Sequence, residues 1–134
     1  MTARQKCRAF FAVPRRIVEK EVLCYSNSKN SDMGGKGVYT ILVVEDMDLT
    51  REDLMHLVSW ENYGFRLLGG MKNGQTGLEY ARRYHPDIIL TDIKMPVMTG
   101  LEMVEELRKS GMDTQVILLT AYEEFGLVKH VMDL

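Results

Sequence analysis

Three short apolar runs in this sequence each end on side chains that carry oxygen. They read ILVVED from residue 41, DIILTD from residue 87 and VILLTA from residue 116. Runs that stay apolar, without alternating with polar residues, are typical of strands that a parallel sheet buries on both faces. The strands of an open parallel sheet end at one edge, so we expect these oxygen groups to meet there. They belong to Glu45, Asp46, Asp92 and Thr120.

Segments with helical spacing of apolar residues alternate with the predicted strands. Thr50 and Asp53 form a capping-box pattern in the first helical segment, and Gly64 is expected to stop it. The predicted strands are 39–44, 65–68, 87–91 and 115–119, and the predicted helices are 50–62, 74–84, 100–110 and 123–132. This alternation predicts an α/β domain whose helices cover both faces of a parallel sheet.

The charge of the chain changes sign near residue 37. Residues 1–37 carry eight Lys and Arg against three Asp and Glu, whereas residues 38–134 carry nine against sixteen. We therefore expect a basic N-terminal extension over 1–37 and a folded domain over 38–134. Three interpretations of the extension stay open. It is a disordered segment, a helix from Pro14 through Tyr25, or an upstream stretch translated from a misplaced start.

The length and the apolar content place limits on the kind of protein. At 134 residues the chain holds one ordinary domain. Its apolar stretches fall short of the ~18 to 20 residues that cross a bilayer, and the early run AFFAV is too short for a secretory signal. We predict a cytoplasmic protein without a membrane partner, whose cysteines, Cys7 and Cys24, are reduced.

The acidic residues at the predicted sheet edge indicate its chemistry, because neighbouring carboxylates repel one another unless a cation or a proton intervenes. Mg²⁺ prefers carboxylate and carbonyl oxygens, with water or phosphate oxygens completing its coordination. A carboxylate beside such an ion can attack phosphorus and form an aspartyl phosphate. The Thr120 hydroxyl could then donate a hydrogen bond to a phosphoryl oxygen. The pattern indicates Mg²⁺-assisted phosphoryl transfer.

Residues 39–134 resemble the receiver domain of bacterial two-component response regulators. The resemblance rests on ILVVED, PDIILTDIKMPVMTG and VILLTAY, in this order and at this spacing. It implies a flavodoxin-like fold, a three-layer doubly wound parallel sheet with strand order 2-1-3-4. The stretch from Trp60 to Phe65, the pair Asn73-Gly74 and the motif TAYEEF resemble regulators with an AraC-type helix-turn-helix output domain. The resemblance thus implies that the parent protein is a transcriptional regulator.

The resemblance also implies ligands for a phosphoryl group and a metal ion. Asp92 would be the phosphoacceptor, and its donor would be a phosphohistidine on a sensor histidine kinase. Mg²⁺ would be bound by Asp46 and Asp92, by the backbone carbonyl of Lys94, and by Glu45 through water. A Mg²⁺-dependent phosphohydrolase is disfavoured, because such enzymes need an aspartate at the position that Lys94 occupies.

Three further positions match the receiver pattern. Thr120 would be the switch hydroxyl, and Pro96 and Gly100 would shape the loop after the phosphoacceptor. Such a domain relays a signal and is not an enzyme, apart from its own phosphorylation and dephosphorylation. Nucleic-acid binding by this chain is not expected, because no helix-turn-helix follows and the domain is acidic.

The sequence departs from the receiver pattern at its C-terminus. Receivers continue into a fifth strand and a fifth helix, whereas fourteen residues follow Thr120 here. We therefore expect a receiver truncated before its fifth β-α unit, without the lysine that pairs with the acyl phosphate. The alternative function is a non-functional or weakly interacting fragment that cannot switch. Its fourth strand would offer an open edge at which chains could associate.

Overall fold

The computed structural model describes residues 20–25 and 38–121, and it describes side chains for residues 38–119. The strands are β1 (Lys20–Tyr25), β2 (Tyr39–Val44), β3 (Phe65–Met71), β4 (Ile88–Asp92) and β5 (Gln115–Ala121). The helices are α1 (Asp48–His56), α2 (Gly74–Tyr84) and α3 (Gly100–Lys109), with a 3-10 helix at Trp60–Tyr63. None of the helices in these ranges is long and apolar enough to span a bilayer.

The five strands form one sheet with the order β1-β5-β4-β2-β3. β2 pairs in parallel with β3 and β4, and β4 pairs in parallel with β5. Numbered by themselves, the four parallel strands have the order 2-1-3-4, which confirms the predicted flavodoxin-like arrangement. Their C-terminal ends lie at one edge of the sheet, as the three apolar runs predicted.

Strand β1 differs most from the predictions. It pairs antiparallel with β5, from Lys20 opposite Ala121 to Tyr25 opposite Val116. For these six residues, the predictions of disorder and of a helix from Pro14 are wrong. The rest of residues 1–37 lies outside the described ranges. The segment KEVLCY contains good strand formers, and the edge of β5 offers it backbone hydrogen-bond partners.

This pairing also corrects the expected open edge. The outer side of β5, the fourth parallel strand, is hydrogen-bonded to β1 within the same chain. Self-association through that edge therefore loses its structural basis. The predicted boundary near residue 37 stays a prediction, and the first parallel strand begins close after it at Tyr39.

Helices cover both faces of the sheet and make two apolar layers. On one face, Leu42 and Val44 of β2 pack with α2 and α3, whose Leu78, Met103 and Leu107 are almost fully buried. On the other face, Ile41 and Val43 pack with Leu54 of α1 and with Trp60. Consecutive β2 residues thus face opposite layers, which explains why this strand is apolar throughout and confirms the three-layer architecture.

The helix ends follow the sequence signals in part. α1 begins at Asp48, so the predicted capping box at Thr50 and Asp53 is wrong, and Thr50 lies within the first turn. The predicted helix 50–62 is also wrong in extent, because α1 ends at His56. Gly64, its predicted stop, adopts φ +80° and ends the separate 3-10 helix instead. Asn73 and Thr99 cap α2 and α3 through their side-chain oxygens. The predicted helix 123–132 lies outside the described residues.

Candidate functional site

Three carboxylates meet at the C-terminal edge of the parallel strands. Glu45 and Asp46 follow β2, and Asp92 ends β4. The strand register pairs Val44 with Thr91, so the residues after them are neighbours. One carboxylate oxygen from each of Glu45, Asp46 and Asp92 lies within 4.8 Å of the other two. The structure therefore brings together the three acidic residues that the sequence placed at this edge.

Burial and hydrogen bonds hold two of these carboxylates in place. Glu45 is fully buried, and Asp92 is 6% exposed. The Ile93 N–H donates to Oδ1 of Asp92 at 2.8 Å, and the Met47 N–H donates to Oε1 of Glu45 at 3.4 Å. Asp46 is half-buried and faces the same space. The cluster thus combines two fixed, sheltered carboxylates with one that solvent can reach.

The donor set of this acidic cluster fits a hard divalent cation. Three carboxylates at this separation repel one another, by about 1 to 3 kcal/mol for each ionised pair at effective dielectric constants between ~80 and ~20. An ion bound among the three, directly or through water, would remove that repulsion. Mg²⁺ takes this type of ligand and usually keeps water molecules in the remaining positions. The residues present therefore suit the predicted metal.

A tightly packed loop follows Asp92 and leads into α3. Lys94 and Pro96 are exposed on this loop. Gly100, the first residue of α3, donates its N–H to the carbonyl of Ile93 at 2.8 Å. A Cβ on Gly100 would overlap the carbonyl oxygen of Asp92, so only glycine allows this approach. The predicted contribution of Gly100 to the loop shape thus has a direct steric basis.

The same loop contains an unusual backbone conformation. Val97 adopts φ +69° and is 81% exposed. A β-branched residue is disfavoured in the left-handed region. The loop is held on its other side by α2, because the Gly74 N–H donates to the Met98 carbonyl at 3.2 Å. The neighbouring helix therefore stabilises a conformation that the sequence alone would not favour.

Thr120 lies on β5 at the same edge as the acidic cluster. Its neighbour Leu119 is paired in register with Asp92, so the backbone of Thr120 lies just beyond the end of β4. The predicted role of its hydroxyl falls outside the described side chains. The predicted role of the Lys94 carbonyl likewise stays a prediction.

Arg51 of α1 is a site residue that the sequence reasoning missed. It is 8% exposed, and its Nη1 donates to the Glu45 carbonyl at 3.0 Å. Its Nη2 donates to Asp48, and this hydrogen bond lowers the pKa of the Asp48 carboxyl below its usual value of 3.8. The sequence does contain a signal for the burial of Arg51, because this residue precedes Leu54 and Val58 at helical spacing and so falls on the apolar stripe that begins in α1.

Comparison with known proteins agrees with this geometry. The family model for the response regulator receiver domain matches residues 41–134. An uncharacterised response regulatory protein of Staphylococcus epidermidis is 30% identical over 101 residues, which are 72% of this chain and 39% of that protein. The transcriptional regulatory protein YesN of Bacillus subtilis is 32% identical over 95 residues, which are 71% of this chain and 26% of YesN. The chain thus spans well under half the length of these relatives.

Solved structures with the same fold include a response regulator domain and a two-component transcriptional regulator. The REC domain of AraT, a response regulator from Geobacillus stearothermophilus, has a TM-score of 0.65 and 25% identity, and the match covers 72% of this chain and 74% of that chain. A two-component transcriptional regulator AraC from Clostridium phytofermentans has a TM-score of 0.53 and 32% identity, covering 58% and 63%.

Proposed function

The chain belongs to the response regulator receiver domain family, and we propose that it accepts a phosphoryl group on Asp92 in a two-component phosphorelay. Receiver domains are signalling domains rather than enzymes in their own right. The observation that supports the proposal most strongly is the buried Asp92 carboxylate within 4.8 Å of two further carboxylates at the sheet edge. A buried acidic cluster of this kind suits a site that binds a cation together with a phosphoryl group.

Each site residue has a distinct part in the proposed transfer. The Asp92 carboxylate attacks phosphorus while the bond from phosphorus to the donor's leaving atom breaks, and the Ile93 N–H fixes the carboxylate's orientation. Mg²⁺, when bound, neutralises the cluster and stabilises charge on the phosphoryl oxygens. Asp46, Asp92 and the Lys94 carbonyl would hold it, with Glu45 acting through water.

The loop after Asp92 and the end of β5 complete the proposed site. Pro96 and Gly100 shape the loop that carries the Lys94 carbonyl, and Gly100 packs directly against the Asp92 backbone. Thr120, at the end of β5, would donate its hydroxyl to a phosphoryl oxygen and relay the change through the sheet. Residues 1–37 would form an extension that precedes the receiver domain and adds strand β1 to the edge of its sheet.

The proposed donor is a phosphohistidine on a sensor histidine kinase, and the proposed place of action is the cytoplasm. The relative YesN is named as a transcriptional regulatory protein. We infer that the parent protein regulates transcription, and the likeness to the two-component transcriptional regulator AraC from Clostridium phytofermentans supports an AraC-type output domain. DNA contact would be made by that output domain and not by the receiver.

The test uses a small acyl phosphate donor such as acetyl phosphate. The full chain is incubated with the donor and Mg²⁺, and its intact mass is followed with time. We expect a gain of one phosphoryl group that chelation of Mg²⁺ prevents and that Asp92→Asn abolishes. Asp113→Asn, an exposed aspartate before β5, is the matched control and should react like the wild type. Equal phosphorylation of the wild type and Asp92→Asn would refute the proposal.

A further inference from the structure

Arg51 connects helix α1 to the acidic end of β2. We propose that Arg51 is a positioning residue, which orients Asp46 for metal binding by holding the peptide unit between Glu45 and Asp46. This inference rests on the proposed function, because it concerns the same acidic cluster. It assigns a role in that cluster to a residue that supplies no metal ligand.

The guanidinium group of Arg51 donates a hydrogen bond to the backbone at Glu45, the first residue of the acidic cluster. Nη1 of Arg51 donates to the Glu45 carbonyl at 3.0 Å, in a buried position. On the other side, the Glu45 N–H donates to the Met71 carbonyl at 3.0 Å. The backbone of Glu45 is therefore held through both its N–H and its C=O, by two different elements.

Peptide planarity carries this constraint to Asp46. The Glu45 carbonyl oxygen lies in the same rigid plane as the amide nitrogen and the Cα of Asp46. Holding the oxygen therefore limits rotation of the whole peptide unit, and with it the direction in which the Asp46 side chain leaves the backbone. Asp46 is half-buried and follows the last residue of β2 by two positions, so its orientation depends on this short connection.

The stem of Arg51 is held as well, by β3. Gly70 is paired in register with Val43 and lies beneath the arginine. A Cβ built on Gly70 would overlap Sδ of Met55 and would lie 3.0 Å from both Cγ and Cδ of Arg51, which is closer than an ordinary contact. The absence of a side chain at residue 70 thus leaves the space in which the arginine stem crosses towards Glu45.

The hydrogen bond from Arg51 to the Glu45 carbonyl, rather than the ion pair with Asp48, accounts for the proposed positioning of Asp46. The Asp48 side chain is 79% exposed, so solvent screens its attraction to Arg51. The hydrogen bond to Glu45 is buried and charge-assisted, and water does not replace it easily. The planar fork of arginine also presents a separate nitrogen to each of the two acceptors in a fixed geometry, whereas the ammonium of lysine is a single point charge on a flexible stem.

The expected effect is a loss of Mg²⁺ affinity. Residues that orient metal ligands typically change metal affinity or activity by about tenfold to a hundredfold when they are replaced. We expect Arg51→Met to raise the dissociation constant for Mg²⁺ by about tenfold, with a smaller loss of phosphorylation rate once Mg²⁺ is saturating. Arg51→Lys should fall between the wild type and Arg51→Met.

The experiment measures Mg²⁺ binding by the full chain through the amide resonances of Asp46 and Ile93 in ¹⁵N-labelled protein. Phosphorylation by acetyl phosphate is measured in parallel, as a function of Mg²⁺ concentration. Arg82→Met is the matched control, because Arg82 joins α2 to Ser110 and Glu106 away from the acidic cluster. Asp48→Asn separates the ion pair from the carbonyl contact and should leave Mg²⁺ affinity within about twofold of the wild type.

The outcomes separate this inference from the proposed function. A wild-type chain that neither binds Mg²⁺ nor accepts phosphate refutes the proposed function itself. A wild type that does both, with an equal Mg²⁺ affinity in folded Arg51→Met, overturns only the role of Arg51. An equal loss in Asp48→Asn or in Arg82→Met also overturns it. If Arg51→Met does not fold, the role of Arg51 is tested with Arg51→Lys and Gly70→Ala. Both variants should weaken Mg²⁺ binding in a folded chain, and wild-type Mg²⁺ affinity in both would overturn the role of Arg51.

Discussion

The contact between Gly100 and the backbone of Asp92 makes a strong prediction about stability. We consider the substitution Gly100→Ala, which adds one methyl group at the first residue of α3. That methyl would lie 3.2 Å from the Cα of Ile93 and would overlap the Asp92 carbonyl oxygen. Both neighbours are backbone atoms that cannot rotate away, so the start of α3 must move.

The expected change in the free energy of unfolding is the sum of two unfavourable contributions and one favourable contribution. Forcing an extra methyl into a packed site costs about 1 to 3 kcal/mol. Moving α3 also weakens the hydrogen bond from Gly100 to the Ile93 carbonyl, for about 0.5 to 1.5 kcal/mol. Alanine regains at most about 1 kcal/mol over glycine through helix propensity. We therefore expect the free energy of unfolding to fall by about 2 kcal/mol, the middle of a range from about 0.5 to about 3.5 kcal/mol.

The assay is urea unfolding of the full chain, followed by circular dichroism and by the fluorescence of Trp60. This is the sole tryptophan of the chain, and it is 2% exposed in the apolar layer beneath α1. With a slope of about 1 to 2 kcal/mol per molar urea, the midpoint should fall by about 1 to 2 M. Phosphorylation of Asp92 should slow as well, because the loop that carries its neighbours moves with α3.

Gly69→Ala is the matched control for this prediction. A Cβ on Gly69 would make one ordinary contact, 3.7 Å from Cε of Met71. Its free energy of unfolding should stay within about 0.5 kcal/mol of the wild type. If Gly100→Ala is as stable as Gly69→Ala, the close approach of α3 to Asp92 does not exist in the protein and the reasoning is refuted.

Three further substitutions test other parts of the structure. Asp46→Asn should raise the melting temperature measured without Mg²⁺, because it removes a repelling charge from the acidic cluster. It should also abolish the increase in melting temperature that Mg²⁺ causes in the wild type. If Mg²⁺ still raises the melting temperature of the variant, the proposed metal site is contradicted. Val97→Gly should raise the free energy of unfolding by up to about 1 kcal/mol, because glycine adopts the positive φ without strain. Val97→Ala keeps a Cβ and should change the free energy of unfolding less. Equal urea midpoints for both variants would contradict this. Asp87→Ala should lower the free energy of unfolding by about 1 to 3 kcal/mol, because Asp87 accepts hydrogen bonds from Thr40 at the opposite edge of the sheet. An unchanged urea midpoint would contradict this.

The sequence predicted the parts of this fold that depend on local pattern. The apolar runs after residues 40, 87 and 115 were identified as strands because both faces of each strand are buried, so the pattern is visible without tertiary information. The convergence of Glu45, Asp46 and Asp92 followed from the common direction of parallel strands. These two inferences contain most of what the candidate site requires.

The features that the sequence did not predict depend on contacts between distant segments. β1 is a strand because the edge of β5, about 95 residues later, pairs with it. The role of Arg51 depends on its hydrogen bond to the Glu45 carbonyl and on the space left by the missing side chain of Gly70. Glu45 follows β2 and Gly70 lies on β3, so neither contact can be inferred from the sequence of α1. α1 begins at Asp48, two residues before the capping pattern at Thr50, and its N-cap Met47 has no side-chain capping hydrogen bond that the sequence could have revealed.

Mapping the phosphorylated residue tests the central claim most directly. The chain is treated with acetyl phosphate and Mg²⁺, reduced with borohydride to convert an acyl phosphate into a stable alcohol, digested, and analysed by peptide mass spectrometry. We predict reduction at Asp92 alone, and none when Mg²⁺ is chelated. Modification that maps to another residue, or that forms at Asp92 equally well without a divalent cation, would contradict the account of a shared carboxylate site at the ends of β2 and β4.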